Sequence, residues 1–234
     1  MIKWAGKSSD DVKVIVERYP GRTYAQKKLL ITSIPGKSGD MVEDLGGYNN
    51  YAQEYAVYLS ADQPKLPTVA KAAAAWLAGP VGYQRLEDSY EADTFRLAFF
   101  EGPMDIENIL NRFGRATISF NCDPRRFLIL GETPVTLTAA GSVTGPNPFP
   151  ALPLIEVTGS GDITLTVGDV DVGITGLENK ITLDSETQNA YNGATNLNGI
   201  INAPDFPVLR EGANNISWTG TVTSVKITPR WWTL

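Results

Sequence analysis

Two carboxylates, Asp184 and Glu186, stand two residues apart in the run LDSE. On a strand that spacing puts both on one face, and paired carboxylates are what a glycosidase uses. Catalytic acids usually face each other across a cleft from different elements, so the role expected here is a strand-end turn or a hydrogen-bonding one. Asp169 and Asp171 repeat the spacing in GDVDVG. Two such oxygens fall well short of the roughly six to eight that calcium takes, and a polar strand edge is expected instead. Gly36, Lys37 and Gly39 in IPGKSGD place glycines beside a lysine. A phosphate loop needs G-x-x-x-x-G-K-[ST] between a strand and a helix. Here the order is wrong and no strong helix follows, which makes the segment a turn.

Three further features carry reactive or sticky side chains. Cys122 lies in the apolar run ISFNC with no histidine to activate it, so it reads as a small core residue rather than a nucleophile. Arg125 and Arg126 are too few for a nucleic-acid patch and are expected either in solvent or paired with acids at an interface. In the closing ITPRWWTL, an extended chain would point Trp231 and Trp232 to opposite faces. One is expected in the core; the other is exposed or at an interface, where a tryptophan on a sandwich can stack a sugar. Trp218 shares a face with Ile216 in NISW and is expected in the core. No catalytic, cofactor-binding or metal-binding residue is assigned, and the protein is expected not to be an enzyme and to need no cofactor.

Composition narrows the classes further. The chain has 234 residues, 42% hydrophobic and 20% charged, with no histidine and one cysteine. Absence of histidine removes the Ser-His-Asp and Cys-His arrangements and every His-ligated metal. A net charge of −6 argues against phosphate backbones and anionic membranes as partners. The opening MIKWAGKSSDD has no apolar h-region, and the longest apolar stretch, Ala72–Ala78, is far below the ~20 residues of a bilayer span. A soluble protein made without export is expected.

The charge is unevenly spread. Residues 1–130 hold 16 basic and 16 acidic side chains, while residues 131–234 hold 4 and 10. The texture also shifts after Gly131 to Thr, Val, Ile, Gly and Asn in short runs. Two domains, 1–130 and 131–234, are expected, with the proline-rich Gly145–Pro153 as a long loop inside the second.

The elements of the first half are mixed. Val12, Val14 and Val16 alternate as a strand with one buried face. Leu29–Thr32, Tyr55–Leu59, Gly82–Leu86, Thr94–Phe100 and Ala116–Asn121 are further strand candidates, and Ile109–Phe113 is expected as a short helical turn. Val69, Ala73, Trp76 and Leu77 form one helical stripe, with Thr68 as the cap and Gly79-Pro80 as the stop. The second half reads as all-β. Val135–Ala139, Leu154–Thr158, Ile163–Val167, Val170–Ile174, Lys180–Asp184, Asn215–Trp218 and Val225–Trp231 are strand-like, with turns expected at Gly159-Ser160-Gly161-Asp162, Gly168-Asp169 and Glu178-Asn179. So many short strands predict a β-sandwich. The fold class is therefore mostly β: an α+β first domain with one clear helix, and an all-β sandwich.

A set of motifs, in order, carries a resemblance. Trp4-Ala5-Gly6, Ile34–Asp40 (IPGKSGD), a helix ending in Trp76-Leu77, Gly82–Leu86 (G-Y-x-x-L) and Phe120–Pro124 (FNCDP) resemble the N-terminal part of siphophage distal tail proteins. Pro153–Gly168, Ile181–Glu186, Glu211–Trp218 (EGANNISW) and the basic-aromatic Arg230–Trp232 resemble the C-terminal galectin-like sandwich of that family. The resemblance implies a structural virion component, a distal tail protein in a homohexameric ring. Residues 1–130 would form the ring-forming belt and residues 131–234 the outward galectin-like domain. The implied partners are further copies of the chain, the major tail tube protein, and the tail-associated lysin or other tail-tip and baseplate proteins. No sequence-specific nucleic acid and no membrane insertion are expected. The implied location is the tail tip of the virion, with the gene in a phage or a prophage. The alternative is a carbohydrate-binding β-sandwich that recognises host surface saccharide.

Overall fold

The computed structural model describes residues 1–18, 20–60, 66–109 and 113–234. The protein is mostly β, with one α-helix among the described residues. The chain divides into two compact units, Met1–Arg126 with Leu234, and Phe127–Thr233.

The first unit opens with β1 (Ile2–Trp4), β2 (Lys7–Ser8) and β3 (Val14–Val16), then β4 (Lys27–Ser33), β5 (Asp40–Tyr48) and β6 (Tyr51–Ser60). Helix α1 (Leu66–Ala78) is followed by β7 (Gln84–Asp88), β8 (Thr94–Phe100), β9 (Glu107–Ile109) and the long β10 (Phe113–Leu128). Its main sheet runs β2-β1-β7-β8-β10-β6-β3, with β9 added to β10. The sequence of β6, YAQEYAVYLS, shows why: Tyr51, Gln53, Tyr55, Val57 and Leu59 are buried and the residues between them are not. This period of two is the signature of a strand with one core face.

Helix α1 lays Leu66, Ala73, Trp76 and Leu77 on the same core. The Trp76 indole N–H donates to the Trp4 carbonyl at 3.4 Å, and Trp4 meets Phe120 at 4.8 Å between ring centroids. Tyr55 and Phe100 each stand 6.1 Å from Phe120, within the range of aromatic pairing.

Two expectations for this unit change. Thr68 is not the cap, because the helix already includes Leu66 and Pro67; proline is tolerated in a first turn, where its missing N–H would have no helical partner. Val12 is not in a strand. It is buried at the end of a 3-10 turn, Asp10–Val12, and Lys13 takes a left-handed φ of 57° before β3 starts. The helical turn expected over Ile109–Phe113 falls on residues 110–112, outside the described residues.

The second unit holds β11 (Val135–Leu137), β12 (Gly141–Gly145), β13 (Leu154–Val167), β14 (Val170–Leu177), β15 (Lys180–Asp184), β16 (Asn189–Asn192) and β17 (Thr195–Asn196). The strands β18 (Ile201–Asn202), β19 (Gly212–Thr228) and β20 (Trp232–Thr233) complete it. Two long strands, β13 and β19, organise the sandwich. The first part of β13 pairs β15 and the end of β19, while its last part pairs β14 and the middle of β19. The start of β19 pairs β12. Ile155, Val157, Leu165, Val167, Ile216, Val225 and Ile227 from these two strands share one core with Ile174, Ile181 and Leu183.

Gly159-Ser160-Gly161-Asp162 is therefore not a turn between strands. It lies inside β13, where the register with β19 shifts between Thr158 and Gly159 and again between Ser160 and Thr164. Bulges of this kind bend a strand and increase its twist. Likewise Asn215–Trp218 and most of Val225–Trp231 belong to one strand. On the solvent side of the ladder, Glu156 sits between Lys180 and Lys226, with the latter 2.9 Å away. The bonds from Lys180 and Lys226 outweigh burial and hold the Glu156 carboxyl below its ordinary value.

The bulge requires glycine at one place above others. Gly220 has φ +90°, and a Cβ there would lie 2.2 Å from the Asp162 carbonyl oxygen. Left-handed strain plus a backbone clash gives Gly220→Ala an expected cost of at least about 2 kcal/mol in denaturant unfolding. Gly199→Ala, with open space around it, is expected to stay within about 0.5 kcal/mol of the parent.

Candidate functional site

The paired carboxylates of the second unit are tied to one arginine. Asp184, buried at the end of β15, accepts from Arg230 Nη1 at 2.6 Å and Nη2 at 3.4 Å. Glu186 lies 3.5 Å from the same Nη1, and its backbone N–H donates to Asp184 Oδ1 at 3.1 Å. Burial works to raise the Asp184 pKa, but the bonds and charge of Arg230, with the N–H groups of Glu186 and Thr187, bring it below its ordinary value. A carboxylate held ionised and doubly bonded is suited to fixing the end of a strand. Asp171 accepts from the Thr166 hydroxyl at 2.7 Å across β13 and β14, while Asp169 occupies the turn between those strands. Among the described residues, no group of three or more His, Cys, Asp or Glu side chains is placed to hold a metal ion.

The remaining residues singled out by sequence fall into packing roles. Cys122 is fully buried, and burial pushes its thiol up to about 12, far from the thiolate a nucleophile needs. Trp231 is buried. Trp232 is half-buried: its indole N–H donates to the Pro150 carbonyl at 2.9 Å, and Phe149 packs 4.8 Å from its ring. The proline-rich loop thus packs against the Trp232 ring. Trp218 shares the face of Ile216 but is half-buried rather than in the core.

Arg125 and Arg126 separate completely. Arg125 bonds Asp123, two residues earlier, at 3.0 Å. Arg126 is not in solvent: it is 4% exposed and joins a buried network that the sequence reading missed. At its centre is Arg96 on β8, 2% exposed. Its Nη1 reaches Asp88 at 3.0 Å, its Nη2 bonds Glu91, and its Nε donates to the Tyr51 hydroxyl at 3.1 Å. That hydroxyl also accepts from Arg126 Nε at 3.3 Å. Tyr55 donates to Asp88 at 2.8 Å. Burial, reinforced by the Asp88 charge, pushes the Tyr55 phenol well up and keeps its proton in place. Burial alone would lower the Arg96 pKa; the surrounding tyrosine and carboxylate oxygens overcome it and raise the value instead.

Among the described residues of the first unit, the hairpin of β4 and β5 gathers a large apolar surface. Its two strands form a separate sheet, turned at IPGKSGD, where Gly36 and Gly39 have φ of 82° and 84°. Lys37 N–H closes that turn on the Ile34 carbonyl at 3.1 Å. Every residue of β4 is exposed, and all of β5 except Tyr48. Seven large apolar side chains stand in solvent here: Leu29, Leu30, Ile31, Ile34, Met41, Val42 and Leu45. Ile31 opposes Val42 in the register, and Leu30 opposes Glu43, so apolar groups occupy both faces. A two-stranded hairpin is marginal in water by itself, and an apolar patch of this kind marks an interaction surface. The signal was in the sequence, because Leu29–Ile31 and Met41–Val42 flank a glycine turn. Hydrophobicity alone did not tell that the faces stay uncovered.

An α+β unit followed in the chain by an antiparallel sandwich is a fold found among solved phage proteins. In particular, the chain has the fold of the SPP1 Dit (gp 19.1) protein, a paradigm of hub adsorption apparatus in Gram-positive infecting phages. The TM-score is 0.79 and the identity 15%, with 100% of this chain and 98% of that one covered. A chain of the phage P2 baseplate in its activated, Ca-containing conformation is similar with a TM-score of 0.50 and 9% identity, over 93% of this chain and 90% of that one. No family model and no curated protein matches the sequence.

The two charge networks give opposite kinds of test. Arg96→Met leaves the buried Asp88 without its cation, while Glu91 keeps Arg22 and Arg126 nearby, and chemical denaturation is expected to show a loss of about 3–5 kcal/mol. Arg96→Met with Asp88→Leu is expected to lose less than the sum of the single changes, since the pair acts together. Around Asp184, the folded pKa lies below the ordinary value of 3.8. The stabilisation is thus present above that value and lost as pH falls through the lowered one. The gap in melting temperature between the parent and Arg230→Gln is expected to be full at pH 7 and to close as the pH drops below about 4.

Proposed function

We propose that this chain is a structural virion component, a distal tail protein whose copies close into a hexameric ring. The ring joins the phage tail tube to the tail-tip or baseplate proteins that meet the host. The observation that carries the reading is the β4–β5 hairpin. It projects seven large apolar side chains on strands of seven and nine residues, long enough to span about 20–30 Å. A closed ring needs a heterologous interface, with two different patches on each copy, and a hairpin that is apolar on both faces supplies one of them.

Charge supports the same arrangement. Residues 1–130 balance 16 basic against 16 acidic groups, so their copies can crowd without net repulsion. Residues 131–234 carry all of the net −6. Like charges packed within a Debye length of ~10 Å would oppose assembly, which favours a ring built from the first domain with the sandwiches outward. The location that follows is the tail tip of the virion. No helix among the described residues is long and apolar enough to cross a membrane.

Light scattering on a sizing column and negative-stain microscopy of the full chain test the ring. Six-fold particles are expected at high protein concentration. Ile31→Lys combined with Val42→Glu places charges on the hairpin without touching either core, so the melting temperature is expected to hold while the rings dissociate to monomers. Rings that persist in the double variant would move the interface elsewhere. A parent that stays monomeric, and shows no ring in assembled tails, would sink the proposal.

A further inference from the structure

The chain holds two Asn-Gly pairs, Asn192-Gly193 and Asn198-Gly199. A glycine leaves its own backbone nitrogen unshielded by a side chain, so that nitrogen can attack the amide carbon of the asparagine before it. Both asparagines and both glycines are exposed, so access to water does not separate the pairs. The fold does. Asn192 ends β16, and its register partner Thr195 opens β17, which leaves Gly193 and Ala194 as a two-residue hairpin loop. Gly193 takes φ +58°, and nothing lies within 4 Å of where a Cβ would stand. Among the described residues the Asn192 amide makes no side-chain hydrogen bond, and the Gly193 N–H donates to no backbone carbonyl.

Asn198 is held at both ends of its amide. Its Oδ1 accepts from the Ala190 N–H at 2.6 Å, and its Nδ2 donates to Asn189 Oδ1 at 2.8 Å. Its backbone N–H donates to Asn196 Oδ1 at 2.8 Å, and Asn198–Ile200 form a 3-10 turn. Bringing its amide carbon onto the Gly199 nitrogen would break both side-chain bonds and disturb that turn. The Asn192 amide has no such bonds to lose. Its hairpin joins only the pairs Tyr191 with Asn196 and Asn192 with Thr195, at the end of the sheet order. An exposed loop tip of this kind opens more readily than a core strand.

We infer that Asn192 is a site of spontaneous deamidation, with water as the co-reactant. The Gly193 nitrogen gives its proton to hydroxide and bonds the Asn192 Cγ. The Cγ–Nδ2 bond then breaks, and Nδ2 takes a proton from water and leaves as ammonia, which closes a succinimide ring. Water opens the ring at either carbonyl. Attack at Cγ breaks the bond from Cγ to the Gly193 nitrogen and gives aspartate. Attack at the main-chain carbonyl carbon of the same residue breaks that carbon's bond to the nitrogen and gives isoaspartate, whose chain continues through Cγ. No atom is oxidised or reduced; an amide has become a carboxylate. Isoaspartate adds a methylene to the backbone at the strand end, which shifts the pairing with Thr195. Either product adds a negative charge to residues 131–234, which already hold 10 acidic against 4 basic groups. The site is independent of the β4–β5 hairpin, so either reading can fail while the other stands.

Peptide mapping by liquid chromatography and mass spectrometry decides the question, on the full chain aged at mildly alkaline pH in heavy-oxygen water. In the folded chain, Asn192 is expected to convert at least tenfold faster than Asn198. Isoaspartate and aspartate are both expected at that position, each carrying an oxygen from the solvent. In concentrated guanidinium chloride neither pair is held, and the two rates are expected to differ by less than tenfold. Equal rates at the two asparagines in the folded chain would overturn the proposal. So would an Asn192 that stays intact in the folded chain while the unfolded chain converts. Aspartate without isoaspartate would mean direct hydrolysis of the side chain, and would overturn it as well.

Discussion

A guanidinium buried in the first unit sets the terms for everything around it. Arg96 is 2% exposed, and a charge removed from water is tolerated only with a full set of partners. Those partners come from different strands: Asp88 ends β7, Glu91 sits in the turn to β8, and Tyr51 lies on β6. Arg126 on β10 enters through the Tyr51 hydroxyl it shares with Arg96. In the sheet order β7-β8-β10-β6, the network therefore ties four successive strands. A slip of one residue in any of them would point its partner to the other face, leaving a buried charge unmet. The ion pairs are better understood as fixing register than as adding net stability.

The same unit leaves its hairpin without any comparable restraint. The core cluster of Ile2, Trp4, Tyr55, Leu59, Trp76, Ile118 and Phe120 contains no residue of β4 or β5. The apolar groups of those strands stay in water, joined by one exposed ion pair, Lys27 with Asp44 at 3.1 Å. An uncovered apolar arm of this kind is a surface suited to burial against a partner. In the second unit the balance is reversed. There most large apolar residues are enclosed in the core that β13 and β19 organise, and Ile129, Leu130 and Val135 are the large apolar side chains left exposed among the described residues.

The motifs that first suggested chemistry have structural explanations. LDSE ends a strand on an arginine, and the glycines of IPGKSGD turn a hairpin. GSGD bends a long strand. Each is a place where the backbone must do something unusual, which is why its residue types resemble those of a site. The Gly-Asn run before Trp218 belongs to the same pattern: Asn214 is buried and bonds the Val143, Arg210 and Gly212 carbonyls, holding the start of β19 against β12.

The sequence by itself determined the mostly-β class, the one helix and its buried stripe, and the limits of strands such as Thr94–Phe100 and Lys180–Asp184. These depend on periodicity and on local turn chemistry, which each residue carries with it. It also placed Cys122 and one of the two closing tryptophans in a core. Tertiary structure alone decided the rest. Arg96 and Arg126 look solvated in a sequence, because the tyrosines and acids that pay for their burial are as many as 75 residues away. Leu29–Ile31 look buried, because nothing local says that no second layer will cover them. GSGD looks like a turn, because the 17-residue partner that carries the strand through it lies far downstream. Burial is a property of what arrives from elsewhere in the chain, and only the folded protein brings it.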